Sequence, residues 1–306
     1  MIVCAGEALI DMLPRQSAAG EDAFAPYPGG AVFNTAIALG RLGCDTSFVC
    51  GLSTDFFGQM LVETLKAANV KTDLSIRSGR PTTLAFVRLV DGQASYLFYD
   101  EGTALRMLEP ADMPDLPAET QALVFGCISL IGEPGAHANE ALMTRAAPDN
   151  IIMLDPNIRP TFIVDEAGYR ARITRMIGMS DIIKLSDEDL AWLSPGSDME
   201  DYAQTLIEHG TSLVCFTEGA RGARAITRDH NVFVPAVKVD VIDTVGAGDT
   251  FNAGVLSALD RADLLTKAQV AALSEAQLID ALTLGVKAAA VTVSRAGANP
   301  PWANEV

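Results

Sequence analysis

Histidine and the aromatics are scarce in this sequence, with three histidines and an aromatic share of 6% in 306 residues. His137, His209 and His230 have no ligand spacing to one another or to cysteine, which argues against a histidine-built metal centre. The five cysteines, Cys4, Cys44, Cys50, Cys127 and Cys215, are odd in number and scattered, without a C-x-x-C pair. They read as reduced thiols in a cytosol rather than as a disulfide framework. No uninterrupted apolar run approaches ~18 residues, and the opening Met-Ile-Val-Cys-Ala-Gly-Glu has no basic segment before an apolar one, so neither export nor membrane spanning is expected. Positive charge is short as well: 22 Lys and Arg face 39 Asp and Glu, a formal net charge of −17. A nucleic acid or an anionic membrane would be repelled, and an anionic ligand needs a local positive site.

What the chain does have is aliphatic residues, at a total hydrophobic share of 49%. Its length allows one large α/β domain or a main domain with a small appendage. Short apolar runs, Ile2–Ala5, Thr46–Cys50, Ala122–Phe125, Ile151–Leu154, Ile182–Leu185 and Leu213–Phe216, alternate with Ala/Leu-rich helical stretches. That order predicts a mostly parallel central sheet with helices on both faces, where ligands bind beyond the carboxyl ends of the strands. Two segments, at about 12–28 and 82–100, break the alternation, and the second reads as a hairpin turning at Asp91-Gly92. Residues 1–306 are therefore expected to form one domain carrying a small β lid built from these two insertions, lying over a site or serving as an oligomer contact.

The alternation of Val237, Val239 and Val241 with Lys238, Asp240 and Ile242 predicts a strand. Asp243-Thr-Val-Gly246-Ala247-Gly248-Asp249 follows, and then a helical stretch. Glycines let backbone N–H groups approach an anion, and a helix start adds partial positive charge. The amides of Ala247, Gly248 and Asp249 would hold a transferred phosphate, while Asp249, its carboxylate form favoured by the helix start, would accept a proton. Read alone, these residues also fit an ordinary N-cap on a glycine turn. Phe251 at the third glycine position disfavours a dinucleotide fingerprint, and no G-x-x-x-x-G-K-[ST] is present.

The pattern D-T-x-G-A-G-D-x-F resembles the C-terminal signature of the ribokinase/PfkB-type carbohydrate kinases. The resemblance implies Asp249 as catalytic base, Gly246 to Gly248 as the anion hole, and ATP with Mg2+, a monovalent cation being a further possible requirement. The earlier Gly29-Gly30-Ala-Val-Phe-Asn34-Thr-Ala36 resembles the family's first signature and implies that Gly29, Gly30 and Asn34 bind sugar hydroxyls; helix capping is the other reading of these residues alone. Asp11, in Gly6-Glu7-Ala-Leu-Ile-Asp11, matches an acidic position that accepts hydrogen bonds from acceptor hydroxyls, and Tyr99 on the lid hairpin joins the same group.

Asp155-Pro156-Asn157-Ile158-Arg159-Pro160 follows a strand, and both prolines favour extended geometry with Asp155, Asn157 and Arg159 on one side. A salt-bridged loop without function is the alternative; the resemblance implies Arg159 near the phosphates or the acceptor. Lys184 and Ser186, with Thr217, Gly219 and Gly222 of a T-x-G-x-x-G loop, are implied in nucleotide binding. Where the family carries N-x-x-E, this chain has Ser186 and Asp189, so Asp189 is expected at most to meet magnesium through water, the ion resting mainly on ATP phosphates. Small residues near Lys287 to Ala298 match the family's adenine-side helix, or simple helix packing.

The loop Asp155–Pro160 and Lys184-Leu-Ser-Asp-Glu-Asp-Leu190 look most like bacterial fructokinases, implying fructose as acceptor and transfer to its 6-hydroxyl. A 2-keto-3-deoxygluconate kinase or another PfkB-type sugar or nucleoside kinase is the alternative, and a non-catalytic sugar or nucleotide sensor the alternative of another class. After Phe98-Tyr99 comes Asp100, an anionic residue that works against an acidic sugar, unless Arg88 or Arg106 compensates. The lid implies a homodimer, and the protein is expected in the cytoplasm.

Overall fold

The computed structural model describes the backbone of residues 1–90 and 93–306 and the side chains outside 88–96; the turn Asp91-Gly92 and the side chain of Arg88 lie outside the described residues. In chain order the strands are β1 Ile2–Ala5, β2 Leu9–Gln16, β3 Asp22–Gly29, β4 Thr46–Val49, β5 Gly51–Ser53, β6 Val70–Lys71, β7 Ile76–Ser78, β8 Leu84–Val90, β9 Gln93–Tyr99, β10 Ala122–Gly126, β11 Ile151–Asp155, β12 Ile182–Ser186, β13 Leu213–Thr217, β14 Gly222–Ile226 and β15 Asn231–Pro235. The helices are α1 Ala31–Arg41, α2 Phe56–Ala67, α3 Gly135–Ala146, α4 Glu166–Ile177, α5 Asp187–Leu193, α6 Met199–Glu208, α7 Ala247–Arg261, α8 Lys267–Val270 and α9 Glu275–Val293.

Nine strands form the central sheet in the order β15-β14-β13-β12-β11-β10-β1-β4-β6. The seven from β13 to β6 run parallel, and β14 and β15 add an antiparallel edge. Every residue of β1, β4, β10 and β11 is buried, as a sheet covered on both faces requires. Alternate side chains go to opposite layers: Ile2, Cys4, Val124 and Met153 pack with α1, α2, α7 and α9, whereas Val3, Leu123, Phe125 and Ile152 pack with α3 and α4. By length and composition α9 could cross a membrane. It instead lies along α7, where a Cβ on Gly254 would sit 2.6 Å from the Cα of Gly285, so the two backbones touch.

The lid is a separate four-stranded sheet, β3-β2-β8-β9. Its insertions are the expected ones, with β2 beginning earlier, at Leu9. The strand expected over 237–242 does not form: among the described residues the chain after Pro235 meets no strand, Ile242 donates instead to the Val293 carbonyl at the end of α9 at 2.8 Å, and Val237, Val239, Val241 and Ile242 are exposed. Alternation alone does not distinguish a paired strand from an extended, unpaired segment.

Candidate active site

The carboxyl ends of β1, β10, β11, β12 and β13 converge with the first turn of α7 and the inner face of the lid. At the centre is Asp249, in the first turn of α7 and only 7% exposed. Its Oδ2 accepts the Asn34 side-chain amide at 2.9 Å, and among the described residues Oδ1 has no partner. Thr35 donates to the Asp249 carbonyl at 3.2 Å, so α1 is tied to the start of α7 at two points. Asn34 therefore orients Asp249, and its second N–H and its oxygen remain for the sugar contact expected of it.

The helix start was expected to hold Asp249 ionised. Burial acts the other way and dominates: the carboxyl is pushed up to about 7, with Asp155 adding to the rise while Asn34 and Lys184 oppose it. A carboxyl near 7 is well placed to accept a proton at neutral pH.

Gly246, the N-cap, sits at φ +78, and a Cβ there would lie 2.8 Å from the Cβ of Ala298, so both conformation and space favour glycine. The amide of Ala247 already donates to the Thr244 carbonyl at 3.3 Å. The amides of Gly248 and Asp249 have no protein acceptor among the described residues.

Beneath this turn lies Lys184. A Cβ on Gly248 would be 3.1 Å from its Nζ. Lys184 pairs with Asp155 at 3.3 Å, the two side chains 5% and 7% exposed, and Asp155 also accepts the Asn252 amide at 2.7 Å. Burial alone would lower the lysine, but the carboxylates of Asp155, Asp189 and Asp249 outweigh it and hold Lys184 in its charged form. Asn252 was missed in the sequence although a signal existed: it lies three residues after Asp249, on the same face of α7.

Glu7, also not singled out, is wholly buried at the end of β1. It accepts the amides of Ala31 at 2.6 Å, Val32 at 3.2 Å and Ser129 at 3.4 Å, joining the start of α1 to the loop after β10. A carboxylate two residues after an all-apolar parallel strand was its sequence signal. Gly30, at φ +119, leaves room for the Glu7 carbonyl, and Gly29 leaves room for Asp11, whose carboxylate lies against it. Asp11 is pushed up to about 6 by burial.

Tyr99 does not face Asp11. Asp11 pairs with Ala85 and Ala85 with Phe98, so Phe98 shares the inner face, while Tyr99 packs against Phe86 on the outer one at a ring distance of 5.6 Å. The extended geometry expected after β11 is broken by Asn157, at φ +41. Arg159 is exposed and donates to the carbonyls of Asn157 and Ile158, with Asp249, Asp155 and Asp189 close enough to favour its charge.

Thr217, Gly219 and Gly222, expected at the nucleotide, lie at the antiparallel turn between β13 and β14. Ser186 and Asp189 form the capping box of α5. Asp189 accepts Ser186 N and Oγ on one oxygen and the amide of Ile158 at 2.7 Å on the other. Oδ1 accepts that one bond and keeps a lone pair, which suits a contact with a metal-bound water rather than direct ligation. No cluster of three or more His, Cys, Asp or Glu able to hold a metal occurs among the described residues.

A buried carboxyl near neutrality, two open amides at a helix start and a buried lysine below them together suit phosphoryl transfer to a hydroxyl. Comparison with known proteins agrees. The family described as pfkB family carbohydrate kinase matches residues 1–305. A fructokinase of Rhizobium leguminosarum bv. trifolii is 55% identical over 278 residues, covering 91% of this chain and 85% of the relative. The crystal structure of a Xylella fastidiosa fructokinase with bound ATP superposes with a TM-score of 0.89 at 30% identity, covering 97% of this chain and 93% of that one. A Vibrio cholerae O395 fructokinase bound to fructose, ADP and calcium superposes at 0.83 with 26% identity, covering 97% and 94%.

Proposed function

Since this chain belongs to the pfkB family of carbohydrate kinases, we propose that it transfers the γ-phosphate of ATP to the 6-hydroxyl of fructose. The observation that carries the chemistry is the arrangement of Asp249, its Oδ2 held by Asn34 and its Oδ1 open beside two unpartnered amides. The acceptor hydroxyl gives its proton to Asp249 Oδ1 as its oxygen attacks the γ-phosphorus. The bond from that phosphorus to the ADP oxygen breaks, and the amides of Gly248 and Asp249 meet the charge on the transferring group. Asp11 accepts hydrogen bonds from acceptor hydroxyls on the lid side, and the 217–222 turn receives the nucleotide. Magnesium is proposed to arrive on the ATP phosphates, with Asp189 meeting it at most through water. Fructose-dependent ADP release by the purified protein, compared across ribose, tagatose, 2-keto-3-deoxygluconate and aminoimidazole riboside, tests this reading. Absence of turnover with every acceptor would favour a sensor.

The raised carboxyl of Asp249 sets the pH dependence. A base works only when deprotonated, so kcat/KM for fructose rises through about pH 7 and levels off above it. A profile flat between pH 5.5 and 8 would remove Asp249 from the base role.

The outer face of the lid leaves Phe24, Leu97 and Tyr99 roughly half exposed, as a continuous aromatic and aliphatic strip with Phe86. We propose that two copies pack through this face. Light scattering is expected to give twice the 32.3 kDa chain mass, and Leu97→Asp to give the single mass. A monomer in the unaltered protein contradicts the proposal. ATP supply and the free, buried thiols suit a cytosolic setting.

A further inference from the structure

A cavity of about 460 Å³ lies beside the acceptor side of the site. Phe98 forms part of its wall and stands two strands from Asp11 in the lid, a separation of roughly 10 Å. Ser129, another wall residue, donates its amide to Glu7. No residue of the 217–222 turn lines it, so the cavity adjoins the sugar rather than the nucleotide.

Five ionic side chains line the cavity: Arg106, Arg172, Asp100, Glu133 and Asp165. Arg172 is held by Glu133 and by Glu140 outside the wall, and Asp165 caps α4 by accepting the amide of Gly168 at 3.0 Å. Arg106 is different, because Asp100 is its single carboxylate partner among the described residues, at 2.8 Å. Its other bond is to the Glu133 carbonyl at 3.3 Å. Also on the wall is the Tyr169 hydroxyl, buried and without a hydrogen-bond partner among the described residues, which suits a ligand hydroxyl.

We infer that Asp100 confines this kinase to uncharged acceptors by holding Arg106, the cation that would otherwise receive an acidic group at the far end of the sugar. The inference rests on the sugar-kinase reading above. With Asp100 in place, an acceptor carboxylate meets an anion and a neutralised guanidinium. Without that charge, Arg106 presents a planar fork of donors that matches a carboxylate.

The test compares kcat/KM for fructose and for 2-keto-3-deoxygluconate in the unaltered protein, in Asp100→Asn, in Asp100→Ser, and in Asp100→Asn combined with Arg106→Gln. Both single variants are expected to raise the ratio of acid to fructose turnover by about ten-fold or more, the scale of one charge-assisted contact. The combined variant is expected to lose that gain. An unchanged ratio in the single variants, or a gain that survives without Arg106, overturns the inference. Fructose turnover by the unaltered protein is the separate arm: its absence refutes the fructose reading, whereas an unchanged ratio with that turnover intact refutes only the role of Asp100.

Discussion

Replacing Asp249 by Asn or Ala is expected to lower kcat at least ~10²-fold, the usual size of a general-base contribution, with a smaller change in the KM for ATP. The two substitutions separate different parts of the site. Asn keeps the side-chain shape and an oxygen able to accept from Asn34, but it cannot take a proton; Ala also removes the acceptor that ties Asn34 to α7. Both leave the backbone amides of Gly248 and residue 249 in place, so nucleotide affinity is expected to survive better than turnover. Steady-state rates with saturating fructose and ATP decide the matter. Near-normal turnover by Asp249→Ala would mean that a solvent molecule or another group takes the proton.

Lys184→Met is expected to destabilise the fold by about 3–5 kcal/mol, because it leaves the Asp155 carboxylate buried without its cation. The midpoint of urea unfolding reads this directly. Adding Asp155→Asn to Lys184→Met removes the stranded charge and keeps an acceptor for Asn252, so most of the stability is expected to return. Turnover is not expected to return with it, since the positive charge beneath the first turn of α7 is still missing. A Lys184→Met protein as stable as the unaltered one would show that the pair contributes little. Recovery of both stability and rate in the double variant would mean that Lys184 serves the fold alone.

The same residues show which parts of the site could be read in advance. The turn at Gly246, the start of α7 and the pairing of the two strands of the lid hairpin depend on residues close in sequence, and each appeared at its expected place. The alternation of Val237, Val239 and Val241 was equally local and misled, because pairing needs a neighbour that the pattern does not contain. Tyr99 and Phe98 differ by one position, and period-two geometry places them on opposite faces; which face meets the site follows from the pairing of β8 with both β2 and β9. The cap formed by Ser186 and Asp189 lies within four residues and was legible from spacing alone.

By itself, then, the sequence determined a parallel sheet between helical layers, a lid made from two insertions, and an anion-binding turn carrying an acid at the start of a helix, since each follows from short-range patterning and backbone freedom. Tertiary structure alone decided that Asn34 reaches across 215 positions to Asp249, that Lys184 settles on Asp155 below the anion hole, and that Arg106 is held by Asp100. It also decided the charge state of the base. The helix start by itself favours a carboxylate, but desolvation depends on everything packed around the group, and here it raises Asp249 to about 7.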